Sequence, residues 1–248
     1  MSRQQGISLV ELLIGLFLTG FLVTIMMQHY LASKRQYRYV QSLLDQSYEL
    51  QLVSDLIRNS VRHAGFTPCR GLNALQVVDR RDSRSASNSA IAMQSGKKTG
   101  FSIHRMSEYF SSVIKSISPT KLFLKAGVLY QEGQTILIAD CYHAEIQQIE
   151  HVQSNKTGSI IRLTKPLMFD YVMPVYVGEW IEEAFFIQKN QQGRQSLFYQ
   201  QKHAEELGSL INNLSVEINS FKEKKRVRVI LSMNTSQRIE IDTGIRTL

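Results

Sequence analysis

Glu11 stands where hydrocarbon is expected. It is the one ionisable side chain between residues 7 and 27, a stretch that is otherwise apolar or small. About 20 apolar residues at 1.5 Å each span a hydrocarbon core of roughly 30 Å. An acid at that depth is costly unless it meets an opposite charge, so it marks a functional contact whose partner has to be found. Directly before the run stand Gly6 and Ile7, behind a polar segment of six residues that carries Arg3. A secretory signal fits poorly, because the apolar stretch is long and residues 24–28 offer no small-x-small cleavage site.

The other reactive side chains do not form an enzyme's pattern. His29, His63, His104, His143, His151 and His203 show no close metal-ligand spacing, and Cys69 and Cys141 form no CxxC. There is no phosphate-binding glycine loop and no GxSxG motif. Glu182-Glu183 and Glu205-Glu206 are adjacent acids, which point to opposite faces of a strand or about 100° apart on a helix. The sequence is therefore read as a non-enzyme with no metal and no cofactor. The formal charge is +8, and loss of Arg3 with a leader lowers it by one. Arg80, Arg81 and Arg84 form one basic cluster and Lys222, Lys224, Lys225 and Arg226 another. Together they are a candidate basic surface for DNA phosphates. Such runs are more often simply solvated turns, and the interleaved aromatic residues that single-strand binding calls for are lacking.

These residues need elements to carry them. From residue 28 to residue 64 the chain has neither Pro nor Gly, and Val40, Leu43, Leu44, Leu50, Val53, Leu56, Ile57 and Val61 recur at helical spacing. One helix of about 58 residues and about 87 Å is expected from the apolar run to about Ala64. Gly65 and then Thr67-Pro68 close it. Beyond residue 66 short alternating runs predict strands at 122–124, 128–130, 135–139, 146–152, 159–164, 184–189, 196–200, 214–221, 227–233 and 239–242. Residues 80–100, rich in Ser and basic side chains, read as a surface loop, and residues 108–117 as a short helix. The fold class is α+β: a long N-terminal helix, half membrane and half amphipathic, packed on a mainly antiparallel β-sheet domain. The expected segments are a leader at 1–6, an apolar helix at 7–28, its amphipathic continuation at 29–65 and a β-rich domain at 66–248.

Gly6-Ile7-Ser8-Leu9-Val10-Glu11 ahead of that run resembles the type IV prepilin signature. The resemblance implies that prepilin peptidase cuts between Gly6 and Ile7 and N-methylates Ile7. It also implies that Glu11 meets the positive amino terminus of a neighbouring subunit during assembly. It places the leader inside and the body outside, although Lys34, Arg35 and Arg38 after the span favour the reverse by the positive-inside count. A body exported to an oxidising compartment, holding an even number of cysteines, favours a Cys69–Cys141 bridge over two free thiols. The elements at residues 55–66, 139–141, 184–187, 196–199 and 227–229 narrow the likeness to PilW-type minor pilins. That family implies a subunit priming pilus assembly, with a place in the tip complex and a role in twitching motility. Its partners are other minor pilins, the major pilin, prepilin peptidase, the inner-membrane assembly platform and membrane lipid. Its location is the inner membrane of a Gram-negative cell with the body in the periplasm, and then the pilus. The alternative is a pseudopilin of the type II secretion system, which shares the signature, the long helix and the sheet.

Overall fold

The computed structural model describes residues 9–81, 89–94, 99–155, 157–221, 224–233 and 237–245, with backbone alone at 220–221 and 224–225. It divides into two compact units, residues 1–51 and 52–248. The first is helical. Helix α1 (Leu9–Arg62) is unbroken, as a stretch without Pro or interior helix-breaking pairs allows, and residues 9–48 are exposed without exception.

The second unit opens with the last turns of α1, where Val53, Ile57, Ser60 and Val61 lie within 4 % of full burial, packed on the sheet. Their spacing of four, three and one is the inward stripe of an amphipathic helix, and each large aliphatic among them contributes roughly 1.5–3 kcal/mol by leaving water. The helix stops within two residues of the expected end. Gly65 then takes a φ of +71°, and a Cβ there would lie 2.6 Å from that of Ala90. Both conditions demand glycine.

Among the described residues thirteen strands follow: β1 (Gln76–Asp79), β2 (Ile91–Gln94), β3 (Thr99–Ser118), β4 (Lys121–Lys125), β5 (Thr135–Ala139), β6 (His143–Asn155) and β7 (Gly158–Leu163). The rest are β8 (Tyr176–Lys189), β9 (Gln195–Gln200), β10 (Ala204–Gly208), β11 (Ile211–Phe221), β12 (Lys224–Met233) and β13 (Arg238–Gly244). β11, β12 and β13 form a separate antiparallel sheet. On it Arg228 stands between Glu217 and Asp242, 4.0 and 3.8 Å away on the flanking strands. All other pairings but one are antiparallel, the exception being β1 beside β6.

The large sheet closes on itself. β3 pairs with β8 over its first part and with β4 over its last, and the path β8–β5–β6–β7–β4–β3 returns to β8. The result is a six-stranded barrel with β2, β9 and β10 extending it at one side. Each wall strand sends an aliphatic side chain into one interior cluster: Val113, Leu122, Ile138, Ile149, Ile161 and Val177. Alternate residues of the same strands, such as Leu137 and Ala139 beside 136 and 138, face outward. They join Met106, Ala144, Ile146 and Trp180 in a second cluster, which Leu72 and Leu75 cover. Strand period two thus gives the barrel an apolar interior and an apolar flank.

Three expectations need correction. Residues 108–117 are part of β3 and not a helix, because bulges between Met106 and Phe110 and between Val113 and Lys115 break the alternation that would have marked a strand. The segment 80–100 is not wholly a surface loop: Ile91–Gln94 is strand β2, with Ala90 and Ile91 buried. No strand forms at 128–130, where Tyr130 instead plugs the barrel and donates its hydroxyl to Val177 O at 2.7 Å.

Cys69 and Cys141 are bridged, with Cα atoms 5.2 Å apart, tying the segment after α1 to the turn between β5 and β6. Next to the bridge Asp140 is fully buried and accepts the N–H groups of Tyr142, His143 and Val172 at 2.6–2.9 Å. Burial alone would raise its pKa, but those three donors and His143 outweigh it and hold the carboxyl below its ordinary value. A depressed folded pKa means stability that is present above about pH 4 and lost as the pH falls through the folded value. Asp140→Asn is expected to cost about 1–3 kcal/mol at neutral pH and to flatten the acid limb of the stability curve. Urea melts of both forms between neutral pH and acid check this, and parallel acid limbs would contradict it.

Candidate functional site

The apolar half of α1 shows what makes Glu11 exceptional. The threonine hydroxyls of the run are satisfied within the helix, Thr19 donating to Gly15 O at 2.9 Å and Thr24 to Gly20 O at 2.8 Å. Back-bonding of this kind lets a threonine face lipid at little cost. Glu11 has no such route: it lies in the first described turn, exposed, and has no partner among the described residues. Around it Leu9, Val10, Leu12 and Leu13 are all more than half exposed. An acid near a helix N-terminus is favoured by the macrodipole, but in hydrocarbon that stabilisation is small beside the cost of desolvation. The site therefore consists of an exposed carboxylate on a helix apolar enough to cross a membrane, with no partner among the described residues. Gly6 and Ile7, the expected cleavage and methylation residues, lie outside the described residues.

The expected basic surface does not assemble as one patch. Arg81 is turned inward, its side chain 8 % exposed, with Nη2 at 2.7 Å from both Asp79 Oδ2 and Glu182 Oε1. Burial works against the guanidinium, yet the hydrogen bonds it donates to Asp79 and Glu182 outweigh it and hold its pKa above the ordinary value. Glu182, also opposed by burial, is held below the usual carboxylate range by Trp180 Nε1–H and by Arg81. Arg80 donates to Pro166 O at 3.3 Å, and Arg226 is exposed on β12. Arg84 and Lys222 lie outside the described residues, and Lys224 and Lys225 are placed by backbone only. A second charged pair, Arg105 with Glu183 at 2.8 Å, is likewise internal.

Among the described residues no three His, Cys, Asp or Glu side chains gather as a metal site requires. What sequence reasoning missed is a recess of about 540 Å³ at one end of the barrel. Its walls come from β3, β4, β5 and the connection 164–175, too far apart in the chain for any spacing to reveal.

These features define a class: a β-rich body carried by an N-terminal helix that is long and apolar enough to cross a membrane. Residues 1–27 match the family described as the prokaryotic N-terminal methylation motif. This is the leader of type IV pilin-like and pseudopilin substrates of prepilin peptidase. No curated protein and no solved structure matches the chain.

Proposed function

We propose that this chain is a minor pilin that primes type IV pilus assembly from a tip complex. In this reading it is a structural subunit rather than an enzyme, cut between Gly6 and Ile7 and N-methylated on Ile7. The observation that carries the reading is Glu11, without a partner among the described residues, in the first described turn of a membrane-capable helix and within the matched methylation motif at residues 1–27. The amino group freed by cleavage at Gly6 supplies the opposite charge that Glu11 lacks. A docked pair of this kind specifies register, since a subunit out of step leaves both charges buried and alone. The partners that follow are other minor pilins, the major pilin and the inner-membrane platform. DNA binding is the weaker reading, because the Arg81 charge is already spent on Asp79 and Glu182.

Two measurements test this. Mass spectrometry of the mature N-terminus is expected to find N-methylated Ile7, and Gly6→Ala to leave the precursor uncut; an intact Met1 in wild type contradicts the reading. Deletion is expected to abolish twitching motility and spare protein secretion. The opposite outcome assigns the chain to a secretion pseudopilus, whose subunits share the same motif.

A further inference from the structure

The barrel is closed, but its wall has a gap at one end. The β3–β8 ladder stops at Ser112 and Tyr176, and the last backbone bond across it runs from Val113 N–H to Val175 O at 2.8 Å. Beyond that point β3 continues to Ser118 and pairs only with β4. Its other edge, residues 114–118, has no strand partner among the described residues. Along this edge lies the recess of about 540 Å³. Its floor is the barrel interior, with Val113, Leu122, Ile138 and Val175 contributing. Phe169, Tyr171 and Met173 form the facing wall. A cavity of that size at a barrel mouth is in the range that holds a bound group.

The facing wall is held firmly. Two fully buried carboxylates secure it through backbone, Glu145 accepting Met168 N–H and Asp140 accepting Val172 N–H, both at 2.9 Å. Leu167 N–H is bound by Pro119 O at 2.8 Å. Yet this anchored connection presents Met168, Val172 and Met173 to solvent at 55–57 % exposure. A fixed loop that displays large apolar side chains beside an apolar hollow is built for contact, not for solvation. Charge narrows the occupant further: among the described residues Asp170 is the only charged one lining the recess, in a chain of formal charge +8.

We propose that the unpaired edge of β3 at residues 114–118 and the recess beside it bind an extended segment of another polypeptide. That segment adds as a strand to β3, drops alternate apolar side chains into the barrel mouth and sets a Lys or Arg against Asp170. Strand addition suits the edge because backbone hydrogen bonds supply affinity while the hollow reads every second side chain. Five residues of edge offer about 17 Å of ladder. An unprotected edge is otherwise a hazard that proteins cover. The inference is independent of the assembly reading, since it concerns the barrel and is tested on isolated chain.

The test is selection of a random linear peptide library on the full chain in detergent micelles, followed by titration of the enriched peptides. The expected outcome is enrichment of sequences with an apolar residue at every second position and at least one Lys or Arg. Their affinity is expected to fall about tenfold or more in Ser116→Trp, which fills the hollow, and in Met173→Asp, which charges the exposed wall. Backbone N-methylation of the peptide is expected to abolish binding. Enriched peptides without the alternation, or binding indifferent to both variants or to N-methylation, would overturn the proposal. So would uptake of the apolar dye anilinonaphthalene sulfonate with no peptide selected, which would make the recess a small-molecule site. Concentration-dependent self-association lost in Ser116→Trp would overturn the choice of occupant by giving the groove to a second copy.

Discussion

Glu11→Ala is expected to give a protein that is inserted and processed like wild type and yet is almost absent from filaments. The apolar helix is untouched by the change, and removing a charge from the span makes insertion easier, so membrane levels hold. On the proposed reading, what is lost is the partner of a buried ammonium group on a neighbouring subunit. Leaving one member of a buried pair alone costs about 3–5 kcal/mol, on the order of a hundredfold or more in the docking equilibrium. Immunoblots of membrane and sheared-filament fractions read the two quantities separately. Equal recovery of variant and wild type in the sheared fraction would remove Glu11 from assembly altogether. Glu11→Gln separates charge from volume, and it is expected to behave like alanine because a neutral amide cannot offset the charge of a buried ammonium group.

The second large effect is expected from the bridge. Cys69 and Cys141 close a span of 72 residues, and loss of that constraint frees the unfolded chain by about 4 kcal/mol in the loop-entropy view. The double variant Cys69→Ser/Cys141→Ser is therefore expected to melt on the order of 10 °C lower, with reductant producing the same shift in wild type. Thermal unfolding of the full chain in detergent checks both arms. A melting point insensitive to reductant would mean that the packing of Leu72 and Leu75 on the barrel flank holds this region without covalent help.

Much of this architecture was readable from local pattern. Strand Thr135–Ala139 matches its expected bounds residue for residue, because a Glu132-Gly133 turn precedes it and Asp140-Cys141 follows. The helix end was legible for a similar reason, since Gly65 carries a requirement that no other residue meets. Residues 108–117 misled because Phe110, Val113, Ile114 and Ile117 fall at helical spacing once bulges disturb the strand period. Strand Ile91–Gln94 was hidden by its brevity inside a serine-rich stretch. Arg81 looked like surface because its second carboxylate, Glu182, lies 101 residues away. The barrel mouth was invisible for the same reason, while the methylation motif was plain because it lies within the contiguous residues 1–27.

The ring of strands also imposes an order in time. β3 is complete by residue 118, but the partner that closes its first part begins at Tyr176. A chain emerging from its amino-terminal side can build the β4, β5, β6 and β7 ladders as each arrives, yet it cannot shut the cylinder until β8 has emerged. During that interval the Val113 side of β3 stays open to any passing strand. Slow, late closure is the usual cost of such distant pairing, and here the waiting period falls on the same edge whose lower end has no strand partner among the described residues.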